Sequence, residues 1–233
     1  MKRLGIALVA CLALGCTAGT NSTPPAADAS AVTLTTAPST AASNRVTLPQ
    51  QPIVPLVDST GNFVARRGVV VMLESTPVSL TGPFTAITDD NERASFSSVM
   101  LAGALGTYAL RFSPTGLAPA LVNVTLRAGA PAIIFINGGN QHTANAGAAL
   151  SISPSVLLTD VDANRVAQAS VSFEVSAGGG TITGSPAVTN TLGIATLGSW
   201  KLGAVGLNTL VAHGTQTPLP SRSSQMRWHR RRC

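Results

Sequence analysis

Asp160, Asp162 and Asn164 occupy alternate positions in the stretch LLTDVDANRVAQASVSFEV (157–175). That spacing is the first half of an EF-hand loop, in which alternate carboxylates and amides turn their oxygens onto a hard cation. The second half is missing, because Arg165 stands where the loop's glycine makes its sharp turn and Val171 where a bidentate glutamate closes the cage. Asp and Asn also tolerate left-handed backbone and accept bonds from their own main chain two residues on. The stretch is therefore read as a turn between two strands, with a weak surface calcium site at Asp160, Asp162 and Asn164 as the alternative. Other chemistry-bearing residues are scattered. His142, His213 and His229 stand singly, Asp89, Asp90 and Glu92 form a small acidic tip on a hairpin, and the glycine run Ala177 to Gly180 lacks the G-x-G-x-x-G spacing of a phosphate loop. No G-x-S-x-G, Walker or H-E-x-x-H motif occurs, so no catalytic residue, cofactor or enzyme activity is expected.

The N-terminus, MKRLGIALVACLALGC, has a different kind of chemistry. Two cations precede an apolar run of signal-peptide length, too short to span a bilayer. The segment Leu12 to Cys16, LALGC, resembles the lipobox of bacterial lipoproteins, which implies cleavage after residue 15 and diacylglyceryl attachment to Cys16. Two or three acyl chains, at roughly 0.8 kcal/mol per buried methylene, hold a protein on a membrane. By the same resemblance Thr17, which is not aspartate, implies an outer-membrane or cell-surface location. With Cys11 inside the signal, Cys16 lipidated and Cys233 last, no disulfide framework remains.

The net charge of +6 suggests a nucleic-acid partner until its position is considered. Seven of the 15 basic residues (Lys2, Arg3, Arg222, Arg227, Arg230, Arg231 and Arg232) lie at the two ends, leaving eight against nine acids. The body is close to neutral, and no nucleic-acid partner is expected. With 22 Gly, 15 Pro, 4% aromatic and 10% charged residues among many Thr and Val, the composition favours short strands and turns over helices. Residues 16–45, almost all Thr, Ser, Ala and Pro beyond the cysteine, read as a disordered tether, although a short strand fits Ala31 to Thr35.

The rest of the chain repeats itself. LVDSTGNFVARRGVVVMLES (56–75) matches LTDVDANRVAQASVSFEVSA (158–177), with Asp58 on Asp160, Asn62 on Asn164, Val64 on Val166 and Val71 on Phe173. Downstream, Thr88 falls on Thr189 and Ala94 on Ala195, and then Gly103 and Gly106 fall on Gly203 and Gly206. Three blocks in one order mark a duplication. Val69, Val71 and Leu73, like Val171, Phe173 and Val175, alternate as one buried strand face should.

The second copy, with its VLLTDVDANRVAQASVSFEV, AGGG and GLNTLVA segments, resembles the bacterial immunoglobulin-like domain of the invasin and intimin type, and the first copy is similar to a related version. Departures from that pattern are Ala167 for the customary proline and Glu92 where the second copy has Gly193. The expectation is all-β: two tandem Ig-like sandwiches at 46–128 and 129–216, behind a signal peptide (1–15) and tether. A disordered basic tail follows at 217–233. After Pro218 and Pro220 the tail shows none of the alternation of ALVNVTL (120–126), so the second sandwich is expected to lack its last strand. The resemblance implies a non-catalytic, lipid-anchored cell-surface protein serving as an adhesion, spacer or scaffold module. Its expected partners are the membrane, through the lipid, and a protein or glycan of unknown identity. The alternatives are an accessory subunit of a surface enzyme or export system, or a frameshifted or truncated product.

Overall fold

The computed structural model describes residues 28–76, 78–214 and 225–228. Cys16, the signal segment and most of the basic tail therefore lie outside the described residues. What is described is strand and turn, with no helix.

The first sandwich contains ten strands. They are β1 (Ala31–Val32), β2 (Ala41–Ser43), β3 (Ile53–Val57), β4 (Val70–Glu74), β5 (Ser79–Thr81), β6 (Thr85–Ile87), β7 (Arg93–Ser95), β8 (Met100–Ala102), β9 (Gly106–Pro114) and β10 (Ala120–Arg127). One sheet runs β1-β3-β7, the facing one β2-β10-β9-β4-β6, and β5 and β8 form a separate two-stranded sheet. Alternation sets the layers: Val71 and Leu73 on β4, Leu110 and Phe112 on β9, and Val124 and Leu126 on β10 all point inward and are almost fully buried. Phe96 packs edge-on against Phe112, with ring centroids 5.5 Å apart. Each such side chain contributes roughly 1.5–3 kcal/mol on burial.

The second sandwich repeats this with β11 (Ile133–Gly138), β12 (Ser155–Thr159), β13 (Ser170–Ala177), β14 (Gly180–Thr183), β15 (Ala187–Val188), β16 (Ile194–Thr196), β17 (Ser199–Leu202), β18 (Thr209–Gly214) and β19 (Gln225–Trp228). Its sheets are β11-β12-β16 and β15-β13-β18-β19, with the two-stranded sheet β14-β17. A second core forms around Val156, Leu158, Phe173, Leu197, Trp200 and Leu210.

Three expectations need correction. Residues 28–45 are not a disordered tether: β1 pairs with β3, β2 pairs in parallel with β10, and Ala29, Val32 and Ala42 lie in the first core. Small, widely spaced apolar residues suffice there because the strands they belong to close an existing sheet edge by main-chain bonds, so the first sandwich begins near residue 28 rather than 46. Nor does the second sandwich lack its last strand, since β19 pairs antiparallel with β18, from Leu210 opposite Trp228 to His213 opposite Gln225. Ladder bonds come from the backbone, and an open edge accepts a segment whose side chains do not alternate. Residues 225–228 are thus strand rather than disordered tail.

The third correction concerns the repeat. Thr88 Oγ accepts the N–H of Val69 and donates to the Arg66 carbonyl, and Thr189 Oγ does the same with Ala169 and Val166. That match places Leu73, not Val71, on Phe173. The connection before β13 is two residues shorter than that before β4, and a two-residue slip leaves the inward face unchanged, so alternation did not show it. Arg45 and Gly147 likewise donate to the carbonyls of Leu101 and Leu202, which matches those two leucines across the copies.

Candidate functional site

The repeated turn is one device used twice. Asp58 Oδ1 accepts the N–H groups of Thr60 (2.8 Å) and Asn62 (3.0 Å), and Asp160 Oδ1 those of Asp162 and Asn164 (both 2.9 Å). In both turns the Asp N–H donates to the carbonyl of the Asn four residues on. Ala163 takes the left-handed conformation (φ 62°) that Gly61 takes in the first copy (φ 88°). Asp89 and Asn190 repeat the arrangement in the next turn of each sandwich, where Glu92 (φ 69°) matches Gly193 (φ 73°). Glu92 therefore keeps the geometry that the missing glycine would have supplied.

What distinguishes the second copy is where its turn points. The linker 128–132 is short, so the turn after β12 meets the far end of the first sandwich. Asn44 Nδ2 donates to Asp160 Oδ2 (2.9 Å) and to Asp162 Oδ2 (2.7 Å), and the Gly129 N–H donates to Asp160 Oδ2 (3.0 Å). Arg45 clamps both oxygens of Asp162, through Nε and Nη2, each at 2.7 Å. Asn164 Nδ2 donates to the Gly103 carbonyl (2.9 Å), while the Gly103 N–H donates to Asn44 Oδ1 (3.0 Å). Asn44 and Asp160 are only 3% and 1% exposed. Gly129 has to be glycine here, because a Cβ would lie 2.6 Å from the Asn44 carbonyl oxygen.

Charge follows geometry. Burial pushes the Asp160 carboxyl up, but the bonds from Gly129, Asn164 and Asn44 outweigh it, and the net shift is downward. Arg45, and then Asn44, hold the Asp162 carboxyl down to about 2. The Arg45 side chain remains about half exposed, so its pair with Asp162 orients the joint more than it stabilises it.

The three oxygen-bearing residues singled out in the sequence do come together, and each is engaged by N–H donors or itself donates. For a cation to bind, the Arg45 clamp and the Asn44 bonds would have to give way. The other half of the joint, Asn44, Arg45 and Gly103 of the first sandwich and Gly129 of the linker, has no signal in the sequence, where Asn44 and Arg45 fall in the stretch that reads as tether. The one usable signal was Asp162, a second carboxylate that Thr60 does not supply in the first copy. Cys16 lies outside the described residues.

The far pole of the second sandwich is differently built. Its loop at 177–180 holds Gly178, Gly179 and Gly180 with φ of 82°, 69° and 99°. A Cβ on Gly178 would collide with Asn208 and one on Gly180 with the Lys201 carbonyl. The glycine run is thus a close-packed crossover.

No protein-family model matches the chain, and no curated protein does. Among solved structures it is similar to the Escherichia coli adhesin FdeC (TM-score 0.52, 13% identity, 87% of this chain and 65% of that one). It is also similar to the Yersinia pseudotuberculosis adhesin InvE (TM-score 0.34, 19% identity, 86% and 58%) and to a beta-glycosidase from Bacteroides vulgatus (TM-score 0.33, 17% identity, 88% and 25%). The chain thus spans about three fifths of the length of the two adhesins. At such identities likeness speaks for the fold alone, and it rests on the FdeC match. The two all-β sandwiches thus share the fold of the matched part of FdeC.

Proposed function

We propose that the chain is a non-catalytic, lipid-anchored cell-surface module whose two Ig-like sandwiches, fixed end to end, serve in adhesion, spacing or scaffolding. The observation that supports this reading is the joint. A buried carboxylate that accepts donors from its own turn and from the first sandwich resists bending between the sandwiches, because parting the two takes the Asn44 amide from Asp160 Oδ2 and from Asp162. Such a joint suits a part that holds its far end at a fixed distance from an anchor. The anchor is assigned to Cys16, and the chain from residue 28 onward leads into the pole of the first sandwich opposite the joint.

Fractionation of cells with the wild type and a Cys16→Ser variant, together with antibody labelling of intact cells, tests the proposal. The wild type is expected in the membrane fraction and accessible from outside, and the variant in the soluble fraction. Unchanged membrane association of the variant removes the anchor. A wild-type chain unreachable on intact cells removes the surface role.

A further inference from the structure

β6 (Thr85–Ile87) is an edge strand of the first sandwich's larger sheet, and among the described residues no strand pairs with its outer side; β7 belongs to the facing sheet. The ladder decides which groups that edge offers. Leu73 donates to the Phe84 carbonyl and Thr88 to the Val69 carbonyl, so residues 84, 86 and 88 turn their backbone groups toward β4. Thr85 and Ile87, between them, turn theirs outward. The edge thus has two open rungs, each with one N–H and one C=O. It stops at Pro83, which has no N–H, and at Asp89, whose N–H goes to the Arg93 carbonyl.

The outer face beside these rungs is apolar. Ile87, 61% exposed, lies opposite Val70, and Thr85 lies opposite Met72. The second sandwich is built differently at the same place. Its edge strand β15 is preceded by Pro186 where Thr85 stands, so that rung has no N–H, and Ser170 and Ser172 stand in place of Val70 and Met72. Proline at an outward rung and polar neighbours guard a sheet edge against pairing. At Thr85, Val70 and Met72 the first sandwich has neither.

We propose that β6 pairs antiparallel with β6 of a second copy of this chain, about a twofold axis at Ala86, so that the two larger sheets become one. The occupant is a second copy because the edge fits itself in this register. Thr85 falls opposite Ile87 of the other copy, and each such pair exchanges two main-chain bonds. Pro83 falls opposite Asp89, so the positions that offer no free N–H meet each other. A shift of one rung either way sets Pro83 or Asp89 against an open rung. On the outer face the pairing joins Val70, Met72 and Ile87 of both copies into one apolar patch. The acidic tip, Asp89, Asp90 and Glu92, comes beside the uncharged Gly82 and Pro83 of the other copy instead of its own counterpart, so like charges do not oppose the axis. A contact of this isologous kind closes after two copies. It rests on the edge alone and does not depend on the anchor at Cys16.

The test uses the full chain with Cys11, Cys16 and Cys233 replaced by Ser, so that neither acyl chains nor native thiols join copies. Two rungs and a small apolar patch make a contact below the roughly 1,200 Å² of standard complexes, so the dimer is expected to be weak. Sedimentation velocity should show monomer converting to dimer as the concentration rises to about 1 mM. Ile87→Lys is expected to weaken the dimer at least about tenfold, since it takes an apolar side chain from each half. Thr85→Pro, which removes an outward N–H and installs the residue found in the second sandwich, should abolish it. Both positions are exposed, so thermal unfolding of the Lys variant should match the parent. Register is read by cross-linking. A mixture of Thr85→Cys and Ile87→Cys chains is expected to form disulfide-linked dimers at least about tenfold faster than either alone, because 85 and 87 are direct cross-strand neighbours whereas 87 and 87 are diagonal ones. A parent that stays monomeric to about 1 mM overturns the proposal, and an edge that accepts only a foreign peptide would give that result. Dimerisation that persists unchanged in Ile87→Lys overturns it too. So do disulfides that form as fast in either single variant as in the mixture, since they would mean another surface or register.

Discussion

Replacing Asp160 by Ala removes one carboxylate that serves two purposes. Its Oδ1 closes the turn through the N–H groups of Asp162 and Asn164, and its Oδ2 takes Asn44 of the first sandwich, Gly129 of the linker and Asn164 of its own turn. Not all five donors are stranded equally. Asn44 Nδ2 keeps Asp162, and Asn164 Nδ2 keeps the Gly103 carbonyl, whereas the N–H groups of Asp162, Asn164 and Gly129 lose the acceptor they have here. At about 1–3 kcal/mol for each stranded donor, and nearer the lower figure because water can reach the half-exposed turn, the loss is roughly 3–4 kcal/mol. For a domain of this size that lowers the midpoint of thermal unfolding by more than about 10 °C. Asp58→Ala is the internal control, because among the described residues the same turn there bonds to no second sandwich and its Oδ2 has only a long 3.5 Å contact with Asn62. Calorimetry of the two variants should give a clearly larger shift for Asp160→Ala. Equal shifts would mean that the cross-sandwich half of the network contributes nothing, and would refute the account of the joint.

Three further outcomes are expected. Arg45→Gly, which installs the residue found at the matching position 147 and suits the left-handed backbone at 45, should leave both sandwiches folded but widen the distribution of interdomain distances in small-angle scattering; an unchanged profile would show that the clamp on Asp162 is dispensable. The Asp162 carboxyl is held at about 2, below its ordinary value of 3.8, so its contribution is present above about pH 4 and is lost as the pH falls toward 2. Scattering should show the joint loosening in that window, and Arg45→Gly should abolish the transition. Calcium at 1 mM should leave the unfolding midpoint unchanged, whereas a site with a Kd near 10 μM would add about 2.7 kcal/mol; a rise of several degrees that Asp162→Ala cancels would restore the cation reading of the turn.

The duplication explains why the two poles of each sandwich differ in what they can meet. Both copies keep the turn-closing Asp and Asn, because the local backbone needs them. Only the second adds Asp162, and only the first supplies Asn44 and Arg45 at the opposite pole, so the pairing works once, between the first sandwich and the second. Tyr108 and Asn208 show the same division between shared structure and divergent chemistry. They occupy matching positions, and each donates to the carbonyl four residues back, Ala104 and Ala204 respectively, but with different side chains.

Local chemistry was legible in the sequence and long-range pairing was not. The all-β class, the two copies and the inward faces of β4 and β13 followed from alternation and turn residues, because a strand's period and a turn's left-handed positions are fixed by the residues themselves. The Asp160 turn was readable for the same reason. Its partners were not, because Asn44 lies 116 residues away in a stretch whose composition resembles a linker. β2 and β19 did not show in the sequence, and β1 only as a short strand allowed at Ala31 to Thr35, since each closes a sheet edge with backbone groups that every residue carries, and nothing in side-chain pattern marks which edge will be open. The length of the connection before β13 escaped because a two-residue slip keeps every side chain on its own face. Where one sandwich ends against the next is decided by which backbone edges and carboxylates are left over once each has folded, and only the assembled tertiary structure contains that information.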